Sequence, residues 1–327
     1  MNAITNRKSW NGFVALALLG ALLAGCAQPG GAGEEDELRG TITISGAWAL
    51  YPMVVRWGEE FHALHPGVEF DISAGGAGKG MTDVLSGAVD IAMVSRAIAQ
   101  AESDQGAFWV AVVKDAVVPV VNANNPHLAR IQAQGMTQAT FESIWTGGIA
   151  TWGEALGDPS ITDEIHVFTR SDACGAADTW AAYLGGHRQE ELQGVAVYGD
   201  PGVASAVAQD PLAIGYNNLN FAYDLASGQP VAGLQVVPID TNGDGRIGSD
   251  ESFYATQSAL IAAIGDGRYP SPPARPLHLV TLGTPDGLTL AFLRWVLTDG
   301  QAFVTESGYI PLTAEQLQAE LVKLPQD

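Results

Sequence analysis

The chain has 327 residues, of which 47% are hydrophobic and 16% charged, so it is long enough for roughly two domains with sizeable cores. Its formal net charge of −21 disfavours nucleic acids and anionic membrane surfaces as partners. A site for an anion would therefore depend on local donors rather than on the field of the whole protein.

Residues 1–25 have the features of an export signal. Arg7 and Lys8 precede an apolar run at 13–23 that is too short to span a bilayer. The run ends in Leu-Ala-Gly followed by Cys26, which resembles the lipobox of bacterial lipoproteins and implies cleavage before Cys26 and lipid attachment to its sulfur. The alternative is an ordinary secretory signal with a chance cysteine. We expect an exported lipoprotein on the outer face of the cytoplasmic membrane.

Residues 26–39 follow as a flexible, acidic tether. Loss of the signal removes Arg7 and Lys8, which changes the formal charge from −21 to −23. Cys174 is the only cysteine besides Cys26, so the mature protein cannot form an internal disulfide.

Strand-like and helix-like patterns alternate from residue 40 onward. They predict strands at 41–45, 68–72, 91–95, 110–122, 213–216 and 277–282. They predict helices at 52–64, 81–86, 140–145, 152–156, 201–209, 287–297 and 314–322. This alternation predicts an α/β fold with mixed, mostly parallel sheets. Two crossings, near Val120 and Leu279, predict a domain 1 formed by residues 40–119 and 277–323, with domain 2 inserted as residues 120–276.

One strand-to-helix turn has the composition of an anion site. Within residues 165–180 an apolar run ends at Arg170, and an Ala-rich helix begins after Ser171 and Asp172. The first N–H groups of a helix have no partner within the helix and carry partial positive charge. Small residues leave these donors open to an anion, and Arg170 adds a charge. The alternative is an ordinary capped helix behind a buried strand.

Two earlier turns have a similar composition. Residues 46–51 precede the first helix, and the glycine-rich residues 74–80 precede the second. The glycine-rich turn lacks the spacing of a P-loop and of a dinucleotide-binding loop, so we exclude a nucleotide site. Because ligands in open α/β folds lie at the carboxyl ends of strands, we expect all three turns to face one cleft between two hinged domains.

Residues 40–312 resemble the family of periplasmic phosphate-binding proteins that supply ABC transporters. The resemblance rests on Ser45-Gly46-Ala47 with Tyr51-Pro52, on Gly75-Gly76-Ala77-Gly78 followed by Val89-Asp90-Ile91-Ala92 and Ser95-Arg96, on Arg170-Ser171-Asp172-Ala173-Cys174-Gly175, on Asp210-Pro211-Leu212-Ala213-Ile214-Gly215-Tyr216, and on Gly308-Tyr309-Ile310-Pro311-Leu312. It implies a two-domain periplasmic-binding-protein-like fold of type II whose cleft closes on an inorganic oxyanion, chiefly phosphate. It also implies delivery to a permease, and we expect the protein to be a monomer.

The resemblance places the ligand contacts on the three turns and on the end of the strand at 91–95. The implied ligand-binding residues are Ala49, Leu50, Tyr51, Ala77, Gly78, Lys79, Arg96, Arg170, Cys174, Gly175 and Ala176. Members of the family usually donate hydroxyl groups from these loops, but the matching positions here are Leu50, Ala77, Cys174 and Ala176. The donors that remain are Arg170 and the backbone N–H groups of Tyr51, Gly78, Gly175 and Ala176, with Lys79 and Arg96 as replacement charges. We expect Arg170 to face the cleft rather than the core. The missing hydroxyls leave a different anion as the alternative to phosphate.

Residues 240–251 match the calcium-binding loop of an EF-hand. Oxygen ligands are predicted from Asp240, Asn242, Asp244, the Arg246 carbonyl, a water on Gly248 and both carboxylate oxygens of Glu251. The incoming segment at 234–239 has a strand pattern, so the EF-hand is incomplete, and residues 253–264 are predicted to be the outgoing helix. The alternative is an acidic turn capped by Asp and Gly. We expect a structural Ca²⁺ ion rather than a transport site.

Two further classes of function are open. A phosphate-ester hydrolase would use Cys174, because a helix start beside Arg170 favours a lowered pKa and a nucleophilic thiolate. The six histidines (62, 65, 127, 166, 187 and 278) show no metal-binding spacing, and no Gly-x-Ser-x-Gly segment exists. We therefore predict a binding protein rather than an enzyme. The third class is a calcium-stabilised surface adhesin, favoured only if no small ligand binds.

Overall fold

The computed structural model describes residues 38–326, in which strands and helices alternate. The strands of this range are β1 (Gly40–Gly46), β2 (Val68–Ala74), β3 (Ile91–Val94), β4 (Ala107–Asn122), β5 (His166–Arg170), β6 (Val195–Val197), β7 (Ala213–Asn218), β8 (Leu234–Val236) and β9 (Ala274–Leu282). The α-helices are α1 (Tyr51–Leu64), α2 (Ala77–Leu85), α3 (Gln100–Asp104), α4 (Leu128–Gln134), α5 (Gln138–Trp145), α6 (Trp152–Leu156), α7 (Gly175–Tyr183), α8 (Gly199–Gln209), α9 (Leu219–Ala222), α10 (Gln257–Asp266), α11 (Gly287–Leu297) and α12 (Ala314–Lys323). Gln189–Glu191 and Asp299–Phe303 form 3₁₀ helices.

The strands of residues 38–326 join in one mixed sheet. Its order is β2-β1-β3-β9-β4-β7-β5-β6, and β8 pairs with β4 beside this path. Pairing is parallel at the two ends of the sheet, where β1 pairs with β2 and β3, and β5 pairs with β6 and β7. It is antiparallel around β4 and β9. The predicted α/β class with a mixed sheet is confirmed, but the expected majority of parallel pairs is wrong, since four strand pairs within residues 38–326 are parallel and four are antiparallel.

Strands β4 and β9 connect the two halves of the sheet. They pair antiparallel from Ala107 opposite Leu282 to Ala116 opposite Ala274, with a shift of register between Ala111 and Val113. The buried valines of β4 explain its length of 16 residues, since a strand covered on both faces has a nearly continuous apolar sequence.

The buried side chains form two hydrophobic cores. We call residues 38–113 and 277–326 the first lobe, where the rings of Phe61 and Phe292 pack 5.3 Å apart. We call residues 116–274 the second lobe, where Trp145 and Trp180 pack at the same ring distance of 5.3 Å. From Leu38 onward both lobes belong to one compact unit, so the domain boundaries at 119/120 and 276/277 stay predictions.

Helix α2 begins at Ala77, four residues before the predicted start at residue 81. The sequence suggested a later start because glycine is unfavourable inside a helix. Here the glycines permit close contact: a Cβ at Gly80 would lie 2.6 Å from the Gly46 Cα, and one at Gly78 would lie 2.8 Å from the Ala173 Cβ. The start of α2 therefore packs directly against β1 and against the second lobe.

Helix α10 begins at Gln257, not at residue 253 as predicted. Thr256 caps it by accepting a hydrogen bond from the Ala259 N–H at 3.2 Å. Phe253 and Tyr254 instead pack into the second core before the helix starts, with their ring centroids 4.5 Å apart.

The predicted signal peptide, Cys26 and most of the tether lie outside the described residues. Within residues 38–326, no helix is both long and apolar enough to cross a membrane.

Candidate functional site

Strand β5 ends at Arg170, whose side chain is 0% exposed between two carboxylates. Its Nε and Nη2 donate to the two oxygens of Asp172 at 2.8 and 2.6 Å, and its Nη1 donates to Asp200 at 2.7 Å. A buried charge needs such partners, and breaking a buried pair typically costs about 3–5 kcal/mol. Arg170 is therefore buried between paired carboxylates, and its orientation towards the cleft stays a prediction.

The ion pairs of Arg170 belong to a larger buried hydrogen-bond network that extends to β4 and β9, the strands that connect the two halves of the sheet. The second oxygen of Asp200 accepts hydrogen bonds from the Asn218 side chain at 2.7 Å and the Asn218 N–H at 3.2 Å. The side-chain Oδ1 of Asn218 accepts from Arg275, which also donates to Asp115 at 3.3 Å and to the Ser95 backbone carbonyl at 3.2 Å. Asp115 and Arg275 are directly opposite each other on β4 and β9.

The network carries no excess of positive charge. Two arginines face three aspartates, so its net charge is −1 when all are ionised. Burial raises the pKa of Asp115 to about 6, although the neighbouring Arg275 lowers it in part. An anion near Arg170 would therefore be held by directed hydrogen bonds rather than by net positive charge.

Cys174 is buried at the start of α7, where its Sγ accepts a hydrogen bond from the Ala177 N–H at 3.5 Å. Burial raises the pKa of the Cys174 thiol to about 12, although Arg170 opposes this shift. The thiol is therefore neutral at physiological pH and serves as a helix cap. The predicted lowering of its pKa is wrong, because desolvation outweighs the nearby charge.

The start of α7 also has two unused backbone donors. The Cys174 N–H donates to Gln189 Oε1 at 3.1 Å, and the Ala177 N–H donates to Cys174. Between them, the N–H groups of Gly175 and Ala176 find no acceptor within residues 38–326. A helix of nine residues concentrates partial positive charge on these groups.

The other two predicted backbone donors are already used. The Gly78 N–H donates to the Ala173 carbonyl at 3.0 Å, which joins the two lobes. The Tyr51 N–H donates to the carbonyls of Ala47 and Trp48 at 3.2 and 3.3 Å. The carbonyl of Ala49 accepts from the hydroxyl of Tyr309 at 2.7 Å.

The three predicted turns lie together in the structure. The N–H groups of Gly75 and Gly76 both donate to the Gly46 carbonyl, so the second turn rests on the first. A Cβ at Gly76 would lie 2.7 Å from the Ala173 carbonyl oxygen, so the second turn also touches the third. Leu50, Ala77 and Ala176 are buried within these turns and supply no hydroxyl group.

Lys79 and Arg96 are paired with carboxylates. Lys79 is half exposed and pairs with Asp83 one turn later in α2. Arg96 donates to both oxygens of Glu102 at 2.9 and 2.6 Å and lies 3.4 Å from Asp178 in the second lobe. Neither side chain therefore has an unpaired positive charge to offer an anion. The sequence had left this possibility open.

Ser95 is a candidate donor that the sequence did not indicate. It is 2% exposed at the end of β3, and its Oγ would lie 2.3 Å from a Cβ on Gly175. A hydroxyl group therefore lies beside the free N–H groups, supplied by the opposite lobe. Only a glycine at position 175 permits this approach.

The sequence also did not indicate the partners of the two buried arginines. The sequence contained one signal for such a partner. Asp115 is a carboxylate within the valine-rich strand β4, and a buried carboxylate needs a partner. Asp200, Asn218 and Arg275 gave no such signal, because each lies near the end of a helix or strand, where polar residues are common.

The predicted calcium loop lies in the second lobe between β8 and α10. Asp240 and Glu251 are buried, while Asn242, Asp244 and Arg246 are exposed. No three Asp, Glu, His or Cys side chains in the described part of the chain converge closely enough to hold a metal ion in this conformation.

The family model for the PBP superfamily domain matches residues 31–300. The chain belongs to the PBP superfamily. This membership confirms the predicted periplasmic-binding-protein-like fold.

Two relatives of this chain are named phosphate-binding proteins. The phosphate-binding protein PstS of Bacillus subtilis is 28% identical over 319 residues, which cover 93% of this chain and 95% of the relative. A phosphate-binding protein PstS of Xylella fastidiosa is 27% identical over 311 residues, which cover 83% and 82% of the two chains.

Solved structures agree on the fold. One is a Clostridium perfringens protein described as a phosphate ABC transporter substrate-binding protein with bound phosphate; it has a TM-score of 0.66 at 23% identity and covers 84% of this chain and 100% of its own. An ABC-type phosphate transport receptor of Vibrio cholerae has a TM-score of 0.59 at 18% identity and covers 83% of this chain and 100% of its own.

We predict a pH-dependent stability difference between the wild type and Asp115→Asn. Because the pKa of Asp115 is raised to about 6 in the folded protein, the folded state holds this proton more tightly than the unfolded state. The stability that this proton contributes is complete below about pH 4 and is lost as the pH rises towards 6. The unfolding free energy of the wild type minus that of the variant should fall over this range, by at most about 1.4 kcal/mol per pH unit.

Urea unfolding at intervals between pH 4 and 7 measures this difference. Asp266→Asn is the control, since hydrogen bonds from Arg268 lower the pKa of Asp266 below its usual value, and the corresponding difference should stay nearly constant between pH 4 and 7 and fall only on further acidification. Parallel profiles for the wild type and Asp115→Asn would show that Asp115 titrates normally.

Proposed function

We propose that this chain captures an inorganic oxyanion, phosphate first of all, at the start of α7 and delivers it to the permease of an ABC transporter. The observation that carries the proposal is the pair of free N–H groups of Gly175 and Ala176 next to Arg170. The phosphate-binding names of the relatives and the phosphate bound in the Clostridium perfringens structure support the same ligand.

Several donors of different kinds surround the proposed anion position. A helix start with free N–H groups favours an anion through both hydrogen bonds and the helix dipole. The hydroxyl of Ser95 lies beside Gly175. Arg170 has five N–H donors, and its hydrogen bonds to Asp172 and Asp200 use three of them. Two guanidinium N–H groups therefore remain for a ligand.

Selectivity in such a site would come from geometry. Asp172 and Asp200 together outweigh the charge of Arg170, so the immediate surroundings give an anion no general attraction. Each hydrogen bond to a charged ligand contributes about 1.5–3 kcal/mol, and each 1.4 kcal/mol is about tenfold in affinity. An anion whose oxygens match these donors would bind, and others of equal charge would not.

A different oxyanion is the second candidate, because hydroxyl groups are absent at four positions. Leu50, Ala77 and Ala176 offer apolar surface, and the Cys174 thiol is a weak donor. Sulfate, molybdate and tungstate are the alternatives to be measured beside phosphate.

A cysteine-to-serine substitution distinguishes the two candidates. Cys174→Ser restores a hydroxyl donor, and serine is also a good N-cap, so α7 should remain intact. If phosphate is the ligand, calorimetry should show its affinity increased by about tenfold or more, because a stronger donor faces a charged ligand. Cys174→Ala is the matched control, which removes the thiol and should not tighten binding.

A lower phosphate affinity in Cys174→Ser, with tighter binding of another anion to the wild type, would assign the site to that anion. If no oxyanion binds the wild type at millimolar concentration, the proposed function is wrong.

We propose that the protein binds and releases its ligand without changing the ligand chemically. A hydrolase would need an activated nucleophile, but burial keeps the Cys174 thiol protonated. We therefore propose a non-enzymatic, monomeric carrier that releases the same anion that it captured.

The proposed carrier is exported and anchored by lipid at Cys26. The Leu-Ala-Gly-Cys sequence before the acidic tether supports this location. Cys26→Ser should move the protein from the membrane fraction to the soluble exported fraction, because the acylation site is lost. Fractionation with immunodetection measures this change, and an exported wild type that is already soluble would contradict the anchor.

A further inference from the structure

We propose that residues 240–251 bind one calcium ion that fastens this loop to the second lobe. The site is independent of the anion function, since its residues belong to a loop between β8 and α10 that contributes nothing to the three turns. The proposal rests on one buried carboxylate with an unpartnered oxygen and on the oxygen-bearing residues of the same loop.

The deciding observation is the carboxylate of Glu251, which is only 5% exposed. Its Oε1 accepts hydrogen bonds from the N–H groups of Thr241 and Asn242 at 2.7 and 3.2 Å. Its Oε2 has no hydrogen-bond partner, although the Gly248 N–H lies near enough to help lower the pKa of Glu251. Buried carboxylate oxygens normally have partners, and a cation would supply the missing one.

The carboxylate of Glu251 faces the loop. Both N–H groups on Oε1 belong to the loop backbone directly after Asp240, and Oε2 shares a carbon atom with Oε1. The free oxygen is therefore held against the same turn that carries the predicted ligands. This places the last residue of the loop beside its first.

The beginning of the loop is a tight turn built on Asp240. One Asp240 oxygen accepts from the Gly243 N–H at 2.7 Å, and the other accepts from the Gly245 N–H at 2.9 Å. Both glycines have positive φ angles, 73° and 74°, which other residues rarely adopt. The turn keeps the Asp240 carboxylate buried against the loop backbone.

Asn242 and Asp244 complete the predicted oxygen set. Each side-chain oxygen accepts an N–H two residues later, from Asp244 at 2.8 Å and from Arg246 at 2.9 Å. Both side chains are exposed and are not gathered around a common centre, in agreement with the lack of a three-acid cluster in residues 38–326. Binding therefore requires Asp244 to turn towards Glu251, which an exposed side chain is free to do.

The chemistry of these groups favours calcium over magnesium. Calcium accepts six to eight oxygens in flexible geometry, including carbonyls and a bidentate carboxylate, whereas magnesium requires a near-ideal octahedron and retains its water. A loop that supplies two carboxylates, an amide, a main-chain carbonyl and the two oxygens of Glu251 meets the first requirement.

The loop is already tied to the second lobe at several points. The Asp240 N–H donates to the Met136 carbonyl at 3.0 Å, and the Ile247 N–H donates to the Ala133 carbonyl at 2.9 Å. A Cβ at Gly135 would lie 2.4 Å from the Ile247 side chain, so Ile247 packs against the end of α4. An ion that joins Asp240 to Glu251 would close the loop around these contacts and stabilise the second lobe.

Calcium titration of the full chain tests the proposal, in a soluble Cys26→Ser form freed of metal by chelator. Calorimetry should show one calcium ion per chain, the melting temperature should rise with calcium concentration, and magnesium should bind more weakly. Asp244→Asn should weaken calcium by about tenfold or more, because it removes a charged ligand from an exposed position. Asp250→Asn is the matched control, an exposed acid of the same loop at a position that supplies no ligand, and should leave calcium affinity unchanged.

Three results would overturn the proposal. One is unchanged melting and no binding heat at about 10 mM calcium, above the range of weak extracellular sites. Another is an equal loss of calcium affinity in Asp244→Asn and Asp250→Asn, which would indicate that calcium is attracted by the acidic residues in general rather than bound at one site. The third is full calcium affinity in Glu251→Gln, provided that circular dichroism shows this variant folded; if it is unfolded, the Asp244→Asn and Asp250→Asn pair decides.

Discussion

The ion pairs of Arg170 with Asp172 and Asp200 hold together the part of the molecule where we propose the anion site. Arg170 ends β5, Asp172 precedes α7 and Asp200 lies in the first turn of α8. One Asp172 oxygen also accepts the Gly199 N–H at 3.1 Å, so the same carboxylate fixes the start of α8. Because all three side chains are buried, removal of any one leaves unpaired charge in a site of low dielectric. The position of the α7 start depends on this arrangement.

The same network couples the α7 start to the connection between the lobes. Asn218 bonds Asp200 on one side and Arg275 on the other, and Arg275 pairs with Asp115 across the crossing strands. Ser95 belongs to the opposite lobe, yet its carbonyl bonds Arg275 and its hydroxyl lies beside Gly175. A change in the spacing of the lobes would therefore alter the surroundings of the proposed anion. Directed donors in a network without excess positive charge are the physical basis that we propose for recognition.

Local features were predicted well from the sequence, whereas distant pairings were not. The alternation of strands and helices follows from periodicity, which acts over a few positions. The helix predicted after Asp172 begins at Gly175 and is capped by Cys174, because Asp172 pairs with Arg170 instead. Arg170 and Asp200 are separated by 30 positions, and Arg275 and Asp115 by 160, so no local pattern joins them. The pKa of Cys174 was misjudged for the same reason, since its burial depends on the whole second core. The start of α2 was predicted too late because glycine is unfavourable within a helix. In the folded protein the glycines of α2 permit close contact with β1 and Ala173.

The most direct test is a phosphate titration followed by nuclear magnetic resonance of the backbone amides. We predict that the amide signals of Gly175 and Ala176 shift downfield and saturate together, because their N–H groups have no acceptor within residues 38–326 and would gain one from the anion. The amides of Tyr51 and Gly78 are internal controls, since they already donate to backbone carbonyls and should move less. Saturable phosphate binding that leaves Gly175 and Ala176 unchanged would contradict an anion site at the start of α7.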